Sequence, residues 1–234
     1  MEAIVLAGGL GTRLRSVVYG LPKPMAPIEN RPFMEYILKY LEKNGITRVI
    51  LSVGYKWEII KEYFGDKFRN IEMVYCVEEE PLGTGGAIKK ALCFVESNEV
   101  FVLNGDTFFN INLDVLYNLH KKKDSKLSLA LKKMEFTQRY GSVDIDANNK
   151  ILSFNEKTER CSVFINGGIY LLNKDFFITL TTIRKKFSFE KDFLQEQFNN
   201  YEFYGFNFEE FFIDIGIPED YEKAKKEFKY LTIT

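Results

Sequence analysis

Ala3-Ile4-Val5-Leu6-Ala7-Gly8-Gly9-Leu10-Gly11-Thr12-Arg13-Leu14 is the stretch on which the fold turns. Residues 3–6 are an apolar run without polar alternation, the pattern of a strand buried on both faces. The run passes straight into Gly8, Gly9 and Gly11, then Thr12 and Arg13. Glycines at a strand end let the backbone come close to a ligand and turn its N–H groups inward, which suits phosphate oxygens. In an open parallel sheet, ligands bind at such strand ends.

Outward from this loop the chain alternates strand and helix. Pro32 opens a helix whose Phe33, Met34, Ile37, Leu38 and Leu41 share one face, and Asn44-Gly45 closes it. A strand is expected over 49–53, a helix over 57–64, a strand over 71–77, a helix over about 84–95 and a strand over 100–103. This β-α-β-α order predicts a Rossmann-like α/β domain with a mainly parallel, mixed central sheet flanked by helices. Farther on, residues 113–123 read as helix and 127–131 as strand. The polar turn 146–150 separates two strand-like runs, predicting a small β-hairpin against the main sheet. Residues 189–198 and 218–231 read as helices. No linker, repeat or low-complexity tract interrupts the chain. We therefore expect one domain over 1–234, in two halves that meet at about residue 110.

The 234 residues carry 32 Lys and Arg against 33 Asp and Glu, a net charge of -1. A near-neutral chain lacks the basic stripe that nucleic acid requires. Its apolar runs are too short for a membrane span. No basic leader precedes the first of them, so a cytoplasmic protein is expected. Cys76, Cys93 and Cys161 have neither metal-ligand nor disulfide-framework spacing and read as small hydrophobes. The single histidine, His120, precedes Lys121-Lys122-Lys123 at a helix end and reads as part of a solvated face. Oligomeric state is open, a homo-oligomer included.

Three nucleotide loops compete for residues 7–14. A P-loop needs a lysine followed by Ser or Thr after the glycines, and there is none. A dinucleotide loop needs a small residue where Leu14 stands and an acid at the end of the second strand, where Ser52-Val53 lie. The third type keeps one basic residue in the loop and another just beyond it, here Arg13 and Lys23.

Residues 6–14, followed by Pro22-Lys23-Pro24-Met25, resemble the signature of the sugar-1-phosphate nucleotidyltransferase family. The resemblance continues in order through Leu82-Gly83-Thr84-Gly85-Gly86-Ala87, Asn104-Gly105-Asp106, Tyr140-Gly141, Glu156-Lys157, Asn166-Gly167-Gly168-Ile169-Tyr170 and Asp214-Ile215-Gly216. It implies that Leu6, Ala7, Gly8, Gly9, Gly11 and Thr12 wrap a nucleoside triphosphate that Arg13 and Lys23 neutralise. Gly83, Thr84, Asn104 and Gly105 would complete the nucleotide site. Gly141, Glu156, Lys157, Asn166 and Gly168 would hold a sugar 1-phosphate, which makes about 1–110 a nucleotide-binding half and about 111–234 a sugar-phosphate-binding half. Lys191 is a further candidate, though an ordinary surface lysine is an equal reading. The chain departs from the pattern at Ile217, where the family usually has threonine.

Asp106 follows an apolar strand, and Asp214 follows Phe211-Phe212-Ile213. Two carboxylates converging on one spot repel unless a cation lies between them. Mg²⁺ held by both and by substrate phosphate is the expected cofactor. A sugar 1-phosphate is largely dianionic near neutral pH and needs no strong base, so the lack of a usable histidine is no objection.

For the base, Glu78, Glu79 and Glu80 stand before Pro81; Glu79 or Glu80 is the expected reader, with the choice among the three open. Guanine offers two adjacent donors that one carboxylate can accept, which favours GTP, with CTP left open. The short chain, the 81–86 loop and the 188–193 segment are similar to the heptose 1-phosphate branch of the family, which serves surface-glycan synthesis. A mannose-1-phosphate guanylyltransferase, an amino-sugar uridylyltransferase, a glycosyltransferase and a non-catalytic nucleotide-sugar sensor are the competing readings.

Overall fold

Residues 2–7 form a strand, β1 (Glu2–Ala7), whose side chains alternate between two apolar layers. The computed structural model describes residues 1–9, 14, 18–137, 139–155 and 160–230. In it Ala3, Val5 and Ala7 enter one layer and Ile4 the other. Successive residues of a strand point to opposite faces, so helices must cover both sides.

After β1 come a 3-10 turn at Lys23–Met25 and a small ribbon of β2 (Pro27–Ile28) with β3 (Arg31–Pro32). Then follow α1 (Phe33–Lys43), β4 (Arg48–Val53), α2 (Trp57–Phe64), β5 (Lys67–Phe68), β6 (Ile71–Val77) and α3 (Gly83–Ala91). β7 (Glu99–Asn104), β8 (Thr107–Phe109) and α4 (Leu113–Lys122) complete the first half. The second half holds β9 (Leu127–Thr137), β10 (Ser142–Ile145), β11 (Ile151–Asn155), β12 (Arg160–Asn173) and α5 (Lys174–Leu180). It ends with α6 (Gln195–Gln197), β13 (Tyr204–Asn207), β14 (Phe212–Asp214) and α7 (Pro218–Glu227).

The main sheet runs β11-β10-β12-β7-β1-β4-β6-β5, with β9 joining β12 to β13. β7, β1, β4 and β6 are parallel, and β12 lies antiparallel to β7. The chain steps from β1 to β4 and β6 on one side, then returns to β7 on the other. The crevice beyond the carboxyl end of β1 is therefore the switch point, where open α/β sheets take ligands. The mixed, mainly parallel sheet expected from the sequence is present. No helix among the described residues is long and apolar enough to cross a membrane.

Several elements differ from expectation. The hairpin β10–β11 extends the edge of the main sheet through β12, and β9 runs past residue 131 to Thr137. Glu190–Leu194 winds as a π-helix before α6. His120 is buried, correcting the solvated reading: Nδ1 lies 2.9 Å from the Ser128 hydroxyl and Nε2 3.2 Å from Glu99. The last turn of α4 packs this face over β7 and β9, so the imidazole needs polar partners there.

Candidate active site

The 3-10 turn fixes Lys23 first. The Met25 amide donates to the Pro22 carbonyl at 2.8 Å and the Ala26 amide to the Lys23 carbonyl at 3.0 Å. Pro24 and Met25 are buried, which anchors the turn. Lys23 Nζ then reaches Asp106 Oδ2 as an ion pair. Asp106 follows β7 through Gly105, whose amide donates to the Leu6 carbonyl at 2.9 Å, tying this turn to the end of β1.

Asp214 arrives from far along the chain by strand pairing. β14 lies antiparallel to β8 with Asp214 opposite Thr107, and the Ile215 amide donates to the Asp106 carbonyl at 2.9 Å. Backbone register therefore sets the two carboxylates side by side. Each is oriented by neighbours. Thr107 Oγ1 donates to Asp106 Oδ1 at 3.3 Å, the Gly216 amide to Asp214 Oδ1, and the Tyr140 hydroxyl to Asp214 Oδ2 at 3.4 Å. Burial, then the Asp106 charge, push Asp214 above the usual carboxylate range; Lys23, the Gly216 amide and Arg139 oppose that rise. Burial and the same carboxylates push the Tyr140 phenol up to about 12.

No group of three or more His, Cys, Asp or Glu that could hold a metal occurs among the described residues. Two oriented, mutually repelling carboxylates with remaining lone pairs nevertheless fit a hard cation whose other ligands are phosphate and water oxygens. The donor set suits Mg²⁺.

A cleft of about 340 Å³ opens beside this group. Leu6, Ala7, Gly8 and Gly9 form one wall, and Asn104, Gly105 and Asp106 the other, with Lys23 between. Gly83 and Thr84, at the start of α3, close a third side. All ten of these are expected nucleotide or catalytic residues. Asp214 opens instead on an adjoining recess of about 290 Å³ with Arg139, Tyr140 and Asp220.

The three glutamates before the 81–86 loop differ in placement. Glu79 and Glu80 are exposed and line a neighbouring depression with Tyr55. Of the three, Glu78 lines the cleft. It accepts from the Ser52 hydroxyl at 3.0 Å and the Leu82 amide at 3.3 Å. Glu78 directly follows β6, at a strand end, where open α/β sheets meet their ligands.

On the sugar side, β12 shifts register between Asn166 and Tyr170. Gly168 takes φ +73 there, and a Cβ on it would sit 2.9 Å from Asn104 Nδ2. At this bulge Asn166 donates to the Tyr170 hydroxyl at 2.7 Å and accepts from the Gly168 amide at 3.0 Å; bulges are frequent near active sites. A Cβ on Gly141 would meet the Asn155 carbonyl at 2.6 Å. Lys191 is exposed and does not line the cleft. Its neighbour Glu190 does; the resemblance over 188–193 covered it, but no role was expected of it. Gly11, Thr12, Arg13, Glu156 and Lys157 lie outside the described residues.

Comparison with known proteins agrees with this geometry. The nucleotidyl transferase family model matches residues 2–230. The D-glycero-α-D-manno-heptose 1-phosphate guanylyltransferase of Campylobacter jejuni is 53% identical over 221 residues, 94% of this chain and 97% of its own. The enzyme of the same name from Aneurinibacillus thermoaerophilus is 50% identical over 230 residues, 98% of this chain and 99% of its own. The crystal structure of HddC from Yersinia pseudotuberculosis superposes with TM-score 0.87 at 40% identity, covering 97% of this chain and 99% of that one. HddC has also been solved in complex with GMP-PN.

Proposed function

The chain belongs to the nucleotidyl transferase family, and on that premise we propose that it transfers GMP from GTP to D-glycero-α-D-manno-heptose 1-phosphate. The products are the GDP-linked sugar and pyrophosphate. The observation that carries this reading is a glycine-walled cleft at the sheet's switch point, lined by Lys23 and Asp106, with strand pairing holding Asp214 beside Asp106 on the adjoining recess. The 53% identical guanylyltransferase narrows it to guanine and heptose. Such a product feeds surface-glycan synthesis from the cytoplasm, where nucleoside triphosphates are available.

A phosphate oxygen of the sugar 1-phosphate attacks the α-phosphorus, and the bond to the bridging β-phosphate oxygen breaks as pyrophosphate leaves. Charge is the obstacle, since one anion must approach another. Lys23, aimed into the cleft from its rigid turn, offsets charge on the phosphates; we assign Arg13 the same task. Asp106 and Asp214 would hold Mg²⁺, which as a Lewis acid neutralises charge building on the α-phosphate. Tyr140, Thr107 and the Gly216 amide keep these carboxylates oriented. Glu78 accepts the adjacent N–H groups of guanine, with Ser52 and the Leu82 amide fixing its position. Asn166, Gly141, Glu156 and Lys157 receive the sugar phosphate.

A pyrophosphate-release assay crossing four nucleoside triphosphates with a panel of sugar 1-phosphates tests the proposal. Release should be greatest with GTP and the heptose phosphate, and should stop when EDTA removes divalent cations. Preference for UTP would overturn the base assignment. No release from any pair would favour a sensor.

A further inference from the structure

Glu190, half-buried in the first turn of the π-helix, sits in the cleft wall facing Thr84, and its two carboxylate oxygens have unequal company. Oε2 accepts from the Thr84 hydroxyl at 2.8 Å and the Ser188 hydroxyl at 3.2 Å. The Phe189 amide also donates to Thr84 Oγ1 at 2.8 Å, so the nucleotide loop is clamped on that side. Oε1 has one described partner, the Tyr170 hydroxyl at 3.4 Å.

The polarity of that contact is fixed. Asn166 Nδ2 donates to Tyr170 Oη at 2.7 Å, so the phenol hydrogen points to Glu190. Tyr170 is fully buried and has no solvent alternative. One long hydrogen bond leaves most of the acceptor capacity of Oε1 unused, and the Tyr170 hydroxyl links that oxygen to Asn166.

We propose that Glu190 is a specificity-determining residue whose Oε1 accepts a hydroxyl of the acceptor sugar, acting beside Asn166. This rests on the sugar-phosphate reading above and extends it to a residue linked to Asn166 through the Tyr170 hydroxyl. Oε2 is saturated on the nucleotide side, which favours a sugar hydroxyl over a ribose one. A second consequence is that one carboxylate touches both substrates' walls, clamping the Thr84 loop while reading the acceptor.

The test compares wild type with Glu190→Gln, varying each substrate with the other saturating. The panel includes D-manno-configured sugar 1-phosphates lacking one hydroxyl at a time. Exchanging a charged acceptor for a neutral one should raise KM for the sugar phosphate about 10-fold, with KM for GTP within twofold. In wild type one monodeoxy substrate should lose a similar factor in kcat/KM, and that loss should vanish in the variant. A rise in KM for GTP alone would assign Glu190 to the nucleotide loop and overturn the proposal. So would additive losses for every deoxy substrate, a result readable at reduced activity. Should Glu190→Gln fold poorly, the wild-type panel with 2′- and 3′-deoxy-GTP decides, as does Glu190→Asp. Sensitivity confined to ribose hydroxyls, or unchanged sugar KM in Glu190→Asp, would also overturn it. Wild type inactive with every sugar phosphate would instead defeat the reading on which this rests.

Discussion

Gly105→Ala should cripple turnover in a protein that still folds. A Cβ at residue 105 would lie 2.6 Å from the Leu6 carbonyl oxygen and 3.2 Å from its carbon. Ordinary contact begins near 3.4 Å, so the overlap is about 0.8 Å, and every atom met is backbone. No side chain can rotate away. The 104–106 turn must lift off β1, breaking the 2.9 Å bond from the Gly105 amide to Leu6. Overpacking of this kind costs roughly 1–3 kcal/mol, and the lost hydrogen bond about 1 kcal/mol more. Both fall within what a domain of this size tolerates. The kinetic effect is larger, because the next residue is Asp106, and a displacement near 1 Å at a reacting group costs on the order of 10²-fold. Urea unfolding gives the first quantity, and pyrophosphate release at saturating substrates the second. A folded variant whose kcat stays within about threefold of wild type would refute the reasoning. It would mean that the β1–β7 junction does not position Asp106.

Glu78→Gln should reduce kcat/KM for GTP by about 10²-fold, roughly 2–3 kcal/mol for a lost charged acceptor, and improve UTP; an unchanged GTP preference would count against Glu78 as reader. Glu2 offers an acid-stability test. Burial pushes its carboxyl up, but the Ser97 amide and hydroxyl, Arg48 and the Glu96 amide outweigh that and hold it below the usual carboxylate range. A group with a lowered folded pKa contributes fully above its unfolded value and loses that contribution as pH falls through the folded one. Glu2→Gln should therefore destabilise at pH 7 by about 1–3 kcal/mol and flatten the loss of stability below about pH 4, as read from urea midpoints against pH. Phe228→Ala should cost about 3–5 kcal/mol, since the buried ring meets Phe33, Tyr36, Phe108 and Phe211; thermal unfolding measures it.

The alternation of strand and helix was legible over the first half because β1, β4 and β7 are buried on both faces and read as unbroken apolar runs. The glycine loop and Asp106 were legible for a related reason: ligands in such sheets meet the chain at strand ends, which are local in sequence. β12 was not. Its Asn166-Gly167-Gly168 interior looks like a turn, yet the bulge there is absorbed by pairing with β9 and β7, a tertiary effect. Helical spacing in 189–198 gave the right element but the wrong winding; consecutive helix residues point apart, so Glu190 lines the cleft while Lys191 is exposed. The choice among Glu78, Glu79 and Glu80 was beyond composition. It depends on the end of β6, where Glu78 is still held by a 2.7 Å bond to the Val53 carbonyl and its successors are not.

Asp214 raises a different question, namely how a residue so distant in sequence is held against Asp106. The pairing that does it, β8 with β14, is only three residues long on each side. Isolated two-stranded ribbons are marginal in water, so the register must be enforced by packing. Phe108, Phe109 and Ile213 are buried beneath the ribbon, and Phe108 also meets Phe228, just beyond α7. Tyr221 of α7 donates to the Pro27 carbonyl at 2.6 Å, on the segment that follows the Lys23 turn. The C-terminal helix thus leans at once on the strand pair that carries the carboxylates and on the segment that carries the lysine. Loosening it should spread Lys23, Asp106 and Asp214 together, so kcat should decline in Phe228→Ala below its unfolding transition, although the ring lies outside the cleft.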